Sequence, residues 1–284
     1  MRPGIFSMEL VRTPHHWAAF LGNNGFSLNR CVGNGSFGDV YAVTKLTTGC
    51  VCAVKRLVAR RKISEDRYTM AEIRALIDLR HPNIIGLEEV LLCDRLACIV
   101  MEYARGGNLE QFTSKKGGRL KNSFIRTAFL QIVAAVEFCH GQGVAHRDLN
   151  PTNVLIFSDQ LVKLADFGLC VLCVDADTGS EILCSDYLGQ DAYLAPEVKL
   201  YKPFSGKPAD IWSLGCVLYF MLLASNPPKN DSELLEKFEG LPCTEPSSAS
   251  FRQRCIFVVR SLCQAEVSKR LDITMIGTLP IWDT

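Results

Sequence analysis

The polar residues of one short stretch have the types needed to hold a metal and move a proton. Asp148 and Asn153 stand in the run HRDLNPTN, His146 to Asn153, and Asp166 follows in the tripeptide DFG. The Asn153 carboxamide and the Asp166 carboxylate are hard oxygen ligands. They suit a small divalent cation that keeps water and ligand phosphates in its shell. A loop carboxylate can also take the proton of an incoming hydroxyl. Turn-forming Asp and Asn give the same composition with no chemistry at all. Upstream, GNGSFGDV spans Gly33 to Val40. Gly33, Gly35 and Gly38 lack a Cβ, so backbone N–H groups there can close over phosphate oxygens. The run VCAVK ends on Lys55, and Glu72 lies on the helical run beyond it. Paired, they set a fixed cation against the same phosphates. Unpaired, Lys55 is a strand lysine with its ammonium in water, and Glu72 is a solvated helix charge.

These groups need elements to position them. FSLNRCV, DVYAVTK and VCAVKRL are rich in β-branched and aromatic residues and predict three strands, with the Thr47–Gly49 turn between the second and third. From Ser64 to Leu79 the period becomes helical, with Met70, Ile73 and Ile77 recurring on one face. His81-Pro82 ends that helix. IIGLEEVLL and LACIVMEY return to strand character. Arg105-Gly106-Gly107 breaks the chain and reads as a hinge, beyond which helices dominate. Phe129, Ile132, Val133 and Val136 form one apolar face of a helix that ends near Gly141. NVLIF and LVKLA flank the turn at Ser158-Asp159-Gln160 as a hairpin, and the HRD and DFG runs sit just before and just after it. Functional groups commonly lie on such loops, held by a rigid scaffold. Residues 1–25 have a weak pattern and read as an extension, punctuated by Gly22, Asn23, Asn24 and Gly25.

The chain of 284 residues is long enough for one bilobal unit or two small domains. Apolar residues make up 48% and charged residues 21%, ordinary for a globular protein. A net charge of +1 gives no general pull toward nucleic acid or an anionic membrane, so neither is expected as a partner. The basic residues Lys55-Arg56 and Arg60-Arg61-Lys62 read as a solvated loop, a docking or nuclear-import patch being the minor reading of the same residues. The most apolar stretch, Ile211 to Ala224, is too short to cross a bilayer and reads as a helix buried on all sides. The N-terminus lacks the apolar core of a secretory signal. A cytoplasmic location is therefore expected, the nucleus second, with the 13 cysteines reduced. Cys50/Cys52 and Cys170/Cys173 have no second pair at zinc-ribbon spacing. Small buried hydrophobes are the better reading, with a redox role for Cys170 and Cys173 the minor one.

Taken in order, GNGSFGDV, VCAVK, Glu72, HRDLNPTN, DFG, APE (Ala195 to Glu197) and DIWSLG from Asp210 resemble a eukaryotic protein kinase catalytic domain of serine/threonine type. The resemblance covers residues 26 to 284, with a weaker likeness to calmodulin-dependent kinases in YLAPEV and ADIWSLG. It implies an α+β, bilobal fold: an extension (1–25), a small β-rich N-lobe with one main helix (26–102), and a larger helical C-lobe (103–284). It implies ATP and Mg²⁺ as cofactors and a protein as substrate, with no regulatory partner named. Asp148 would be the catalytic base, Lys55 would bridge the α- and β-phosphates from its pair with Glu72, and Asn153 and Asp166 would ligate the metal. Val32, Gly33, Gly35, Ser36, Phe37, Gly38, Val40, Ala53, Met101, Glu102, Ala104 and Leu155 would line the nucleotide. Of these, Val40, Ala53 and Leu155 would sandwich the adenine, Glu102 and Ala104 would meet it with backbone groups, and Met101 would be the gatekeeper. His146, Phe167, Leu76 and Leu87 would form the apolar stack aligning the lobes. Asp210 would brace the HRD backbone, and Glu197 would pair with Arg270.

The chain departs from the family pattern in three places. HRDLK is usual, its lysine reaching the γ-phosphate; here Asn150 stands there and brings no charge. That loss would slow transfer by about 10- to 1000-fold, an electrostatic deficit of about 2–4 kcal/mol. The threonine usual before APE is replaced by Gln190, a candidate partner for Asn150. Asp186 occupies the position of a phosphorylated threonine and is a candidate partner for Arg147, an exposed loop acid being the plainer reading. Thr178, Ser180, Ser185 and Tyr187 are candidate phosphosites. Asn108 replaces the acid that reads a substrate arginine in basophilic relatives. With no tail visible after Thr284, no calcium control is expected. The rival reading is a pseudokinase that binds nucleotide and acts as a scaffold or allosteric partner, supported by Asn150 and Gln190 and opposed by the retained Lys55, Glu72, Asp148, Asn153 and Asp166. A dinucleotide-binding oxidoreductase would need a helix after Gly38, where Val40-Tyr41-Ala42-Val43 predicts a strand.

Overall fold

The computed structural model describes residues 14–35, 38–58, 66–93, 96–175, 177–228, 233 and 250–282. Contacts gather the chain into two units, Met1–Ile77 with Gly86–Tyr103 and Asp78–Ile85 with Ala104–Thr284. A single break at 102/103 is therefore too simple. Residues 78–85 go with the second unit because Ile85 N–H bonds Leu164 O and Asn83 Nδ2 bonds Val162 O, both at 2.9 Å.

In the first unit, β1 (Phe26–Gly35), β2 (Gly38–Lys45), β3 (Val51–Val58), β4 (Leu87–Cys93) and β5 (Leu96–Glu102) form one antiparallel sheet of order β1-β2-β3-β5-β4. Residues opposite each other across antiparallel strands share a face, and side chains alternate along each strand. Val40 opposes Lys55, Ala53 opposes Met101 and Lys55 opposes Ile99, which sets these residues on one face. The other face carries Val43, Cys52, Val54, Cys98 and Val100, all fully buried. That face is covered by a helix, α1 (Pro14–Asn23), within the stretch expected to be a mere extension. Trp17, Phe20 and Leu21 of α1 join the sheet residues in one core. Arg56 lies over the rings of Trp17 and Tyr41 at 5.3 and 5.4 Å. The helix is short and its apolar residues bunch together, so its period was not legible.

A second helix, α2 (Arg67–Asp78), starts where Asp66 accepts the N–H of Thr69 at 3.0 Å. Its buried face is Thr69, Glu72, Ile73, Ala75 and Leu76, whereas Ile77, expected inside, is 47% exposed. The inward side is fixed by a buried carboxylate, which hydrophobic periodicity cannot see.

The second unit is mainly helical. The first helix, α3 (Leu109–Lys115), is closed by a reciprocal cap between Asn108 and Gln111. Next, α4 (Asn122–Gly141) presents Phe129, Ile132, Val133 and Val136 to the core as expected. It is long and apolar enough to cross a membrane by length and composition alone, and 56% of its apolar window is buried, as in a core helix. After α5 (Pro196–Lys199), α6 (Gly206–Leu223) is buried along nearly its whole length, which explains its unbroken apolar sequence. The strand pair β7 (Val154–Ser158) and β8 (Leu161–Leu164) forms the expected hairpin, and β6 (Val144–Ala145) pairs with β9 (Val171–Leu172). All cysteines among the described residues are free thiols, most of them buried. Burial pushes the Cys98 thiol up to about 12 and that of Cys173 up to about 11, which suits packing rather than reactivity.

Candidate active site

In the first unit, Gly33 and Gly35 end β1 and Gly38 opens β2, opposite Gly35. Strand, not helix, follows the last glycine. Val32 falls in a register shift of β1 between Cys31 and Gly33, a bulge that bends the strand. Gly38 has φ +132°, and a Cβ there would collide with the Arg56 carbonyl. Ser36 and Phe37 lie outside the described residues, as do Arg60, Arg61 and Lys62.

Lys55 and Glu72 meet as expected. Lys55 Nζ lies 2.6 Å from Glu72 Oε1, with the residues 4% and 2% exposed. A buried pair of this kind stabilises less than its rupture would cost, because either partner alone is a desolvated charge. Val40, Ala53 and Lys55 lie on one sheet face with the buried gatekeeper candidate Met101. The Glu102 carboxylate accepts the Gly86 N–H at 2.6 Å. Leu76, from the expected apolar stack, is buried, and Leu87 is partly so.

In the second unit the loop after β6 is held by one carboxylate. Asp210, 1% exposed, accepts the main-chain N–H of His146 and of Arg147, both at 2.8 Å. His140 Nε2 lies 2.9 Å from the same carboxylate. Arg147 has φ +67°. A non-glycine residue there carries about 1–2 kcal/mol of strain, which the two bonds to a buried carboxylate offset. His146 accepts the Asp148 N–H through Nδ1, so its Nε2 carries the proton and donates to Ala165 O at 3.1 Å. Its ring also packs edge-on against Phe167 at 4.7 Å.

Asp148 is thereby placed with both carboxylate oxygens engaged. Asn150 Nδ2 donates to Oδ1 at 3.0 Å and Asn153 Nδ2 to Oδ2 at 2.8 Å. Burial pushes its pKa up and Asp166 adds to the rise; the amide donors Asn153 and Asn150 oppose this without cancelling it. The use of Nδ2 leaves the carbonyl oxygen of Asn153 as the ligand atom for a metal. Asp166 stands beside it in the chain fold, because Ala165 N–H bonds Asn153 O at 2.9 Å. Asp166 has φ +63°, and its Oδ1 accepts the Gly168 N–H at 3.3 Å. One carboxamide oxygen and one carboxylate fit Mg²⁺, which takes the remainder of its shell from water and phosphate. Among the described residues no cluster of His, Cys, Asp or Glu could hold a metal by itself.

Leu155 lies half-buried in β7, bridged to Asn108, and Ala104 precedes the turn in which Gly107 N–H bonds Ala104 O at 3.2 Å. Arg270 clasps Glu197 with two bonds, of 2.6 and 2.7 Å. The contact recorded between Arg147 and Asp186 runs to the Asp186 carbonyl, at 3.2 Å. Gln190 bonds Thr152 rather than Asn150, at 3.3 Å. Sequence reasoning missed Thr152, which sits inside the HRDLNPTN run and carried its own signal. It also missed His140, where only the helix–loop junction hinted at a role.

The protein kinase domain family matches residues 26–280. The chain is 35% identical over 261 residues to CBL-interacting protein kinase 16 of Oryza sativa subsp. japonica, covering 90% of this chain and 56% of that protein. It is 38% identical over 218 residues to CBL-interacting serine/threonine-protein kinase 15 of Arabidopsis thaliana, covering 76% and 51% respectively. A third relative, CBL-interacting serine/threonine-protein kinase 16 of Arabidopsis thaliana, is 33% identical over 266 residues. The chain spans about half the length of the curated relatives it matches.

Proposed function

The chain belongs to the protein kinase domain family, and from that premise we propose that it transfers the γ-phosphoryl group of ATP to a serine or threonine hydroxyl of a protein. The observation that carries this reading is the environment of Asp148. A half-buried carboxylate in a braced loop is oriented by two amide donors, beside a second carboxylate and a carboxamide oxygen suited to Mg²⁺.

Transfer of this kind needs positioning and charge more than covalent help. Asp148 orients the acceptor hydroxyl and takes its proton as the oxygen bonds to the γ-phosphorus; the bond from that phosphorus to the β–γ bridging oxygen breaks, and ADP leaves. Lys55, held by Glu72, supplies a fixed cation for the α- and β-phosphates. Asn153 and Asp166 would hold Mg²⁺, which neutralises phosphate charge when bound. Because the family's catalytic-loop lysine is replaced by Asn150, its charge is missing and a modest rate follows.

The buried Lys55–Glu72 pair favours this reading over a scaffold. The test is to incubate the purified chain with γ-labelled ATP, Mg²⁺ and a degenerate Ser/Thr/Tyr peptide array, with Asp148→Ala as control. Label on Ser or Thr peptides that is lost in Asp148→Ala, with ATP binding retained, supports the proposal. ATP binding without transfer in the unaltered chain would make it a nucleotide-binding pseudokinase instead.

A further inference from the structure

We propose that Thr152 is a positioning residue that couples the DFG-to-APE segment to the catalytic base through Asn150. The inference rests on the function proposed above and concerns how its base is set. Gln190, in that segment, donates from Nε2 to Thr152 Oγ1 at 3.3 Å. Thr152 Oγ1 donates to Asn150 Oδ1 at 2.6 Å, and the Thr152 main-chain N–H donates to the same oxygen at 2.9 Å. Asn150 Nδ2 then donates to Asp148 Oδ1 at 3.0 Å and to its carbonyl at 3.1 Å. Every donor in the series points the same way, and the series ends on a carboxylate. Hydrogen bonds so arranged polarise one another and strengthen together.

Two consequences follow for Asn150. It is 0% exposed, and both ends of its amide are engaged inside the protein. It therefore orients Asp148 instead of reaching a phosphate, and does not stand in for the lysine usual at its position. Its orientation in turn depends on Thr152. Two donors on Oδ1 fix which end of the amide turns to Asp148, and the hydroxyl is the one of the two that also meets Gln190. Gly189 allows this approach. Its φ is +112°, and a Cβ there would lie 3.0 Å from Leu194, 3.2 Å from the Arg147 carbonyl and 3.6 Å from Asp148 Oδ1. The segment bearing Gln190 can lie against the catalytic loop because residue 189 has no side chain. The positions of Gln190 and the base are thus linked by neutral groups.

The test compares Thr152→Val, Thr152→Ser, Gln190→Ala and the Thr152→Val/Gln190→Ala double variant in the full chain. Valine keeps the shape and the main-chain bond but removes the hydroxyl. Thr152→Val should lower kcat about 3- to 10-fold, with KM for ATP within about twofold of the unaltered chain. Thr152→Ser should restore kcat, and Gln190→Ala should add nothing in the Thr152→Val background. A second readout needs no activity: the side-chain amide NMR signals of Asn150 should shift and exchange faster in Gln190→Ala, and the double variant should match Thr152→Val. Signals that ignore Gln190→Ala, or kcat losses that multiply independently, would overturn the coupling. If the unaltered chain transfers no phosphate yet the Asn150 signals respond, the coupling stands and the kinase reading falls.

Discussion

Replacing Asp210 by asparagine tests whether one buried carboxylate holds the catalytic loop in its left-handed turn. Asp210 Oδ1 takes the Arg147 N–H, and Oδ2 takes the His146 N–H and faces His140 Nε2, at 2.8, 2.8 and 2.9 Å. Asparagine keeps the shape but only one acceptor oxygen. Whichever way its amide turns, an NH₂ group faces one of the two main-chain N–H groups. The lost charge-assisted bond and the buried unsatisfied donor together cost about 2–3 kcal/mol. At about 2–4 °C per kcal/mol for a domain of this size, the melting midpoint falls by roughly 4–12 °C. Arg147, at φ +67°, then relaxes and carries Asp148 with it. A displacement of about 1 Å costs on the order of 100-fold in rate, so kcat should fall by about that factor. Differential scanning calorimetry reads the first effect and steady-state transfer from labelled ATP the second. A variant that melts like the unaltered chain would show that the bonds to Asp210 carry little energy. One that melts lower yet keeps its kcat would show that the Arg147 turn does not set the base. Either result refutes the reasoning.

Other consequences can be measured directly. Only ionised Asp148 can take a proton, and burial raises its pKa, so transfer should fall as the pH drops through a value above 3.8. An acid limb of the kcat profile at or below 3.8 would contradict burial as the dominant influence. Lys55→Met removes the ammonium that faces the buried Glu72 carboxylate and should cost about 3–5 kcal/mol in urea unfolding, besides abolishing transfer. A stability loss under about 1 kcal/mol would mean that Glu72 finds other relief. Trp17→Ala opens a cavity between α1 and the sheet and should cost about 3–5 kcal/mol by denaturant titration. A neutral result would mean that α1 is dispensable to the first unit.

The order of the motifs already determined the family, the strands of the first unit, the core helices of the second and the roles open to Lys55, Glu72, Asp148, Asn153 and Asp166. Those features are local. A glycine turn, a strand of β-branched residues or a loop of fixed composition needs no distant partner to be recognised. Everything that depends on which distant groups meet had to wait for the fold. Ile77 is solvent-facing because Glu72, drawn inward by Lys55 of β3, fixes how α2 is turned. The N-terminal helix joins the core because Trp17 finds Tyr41 and Arg56, far away in sequence. Asn150, in place of a lysine, suggested a missing charge; its burial makes it an orienting group, since Thr152 and Asp148 use both ends of its amide. Composition states which hydrogen bonds a side chain can make, and only packing decides which of them survive the exclusion of water.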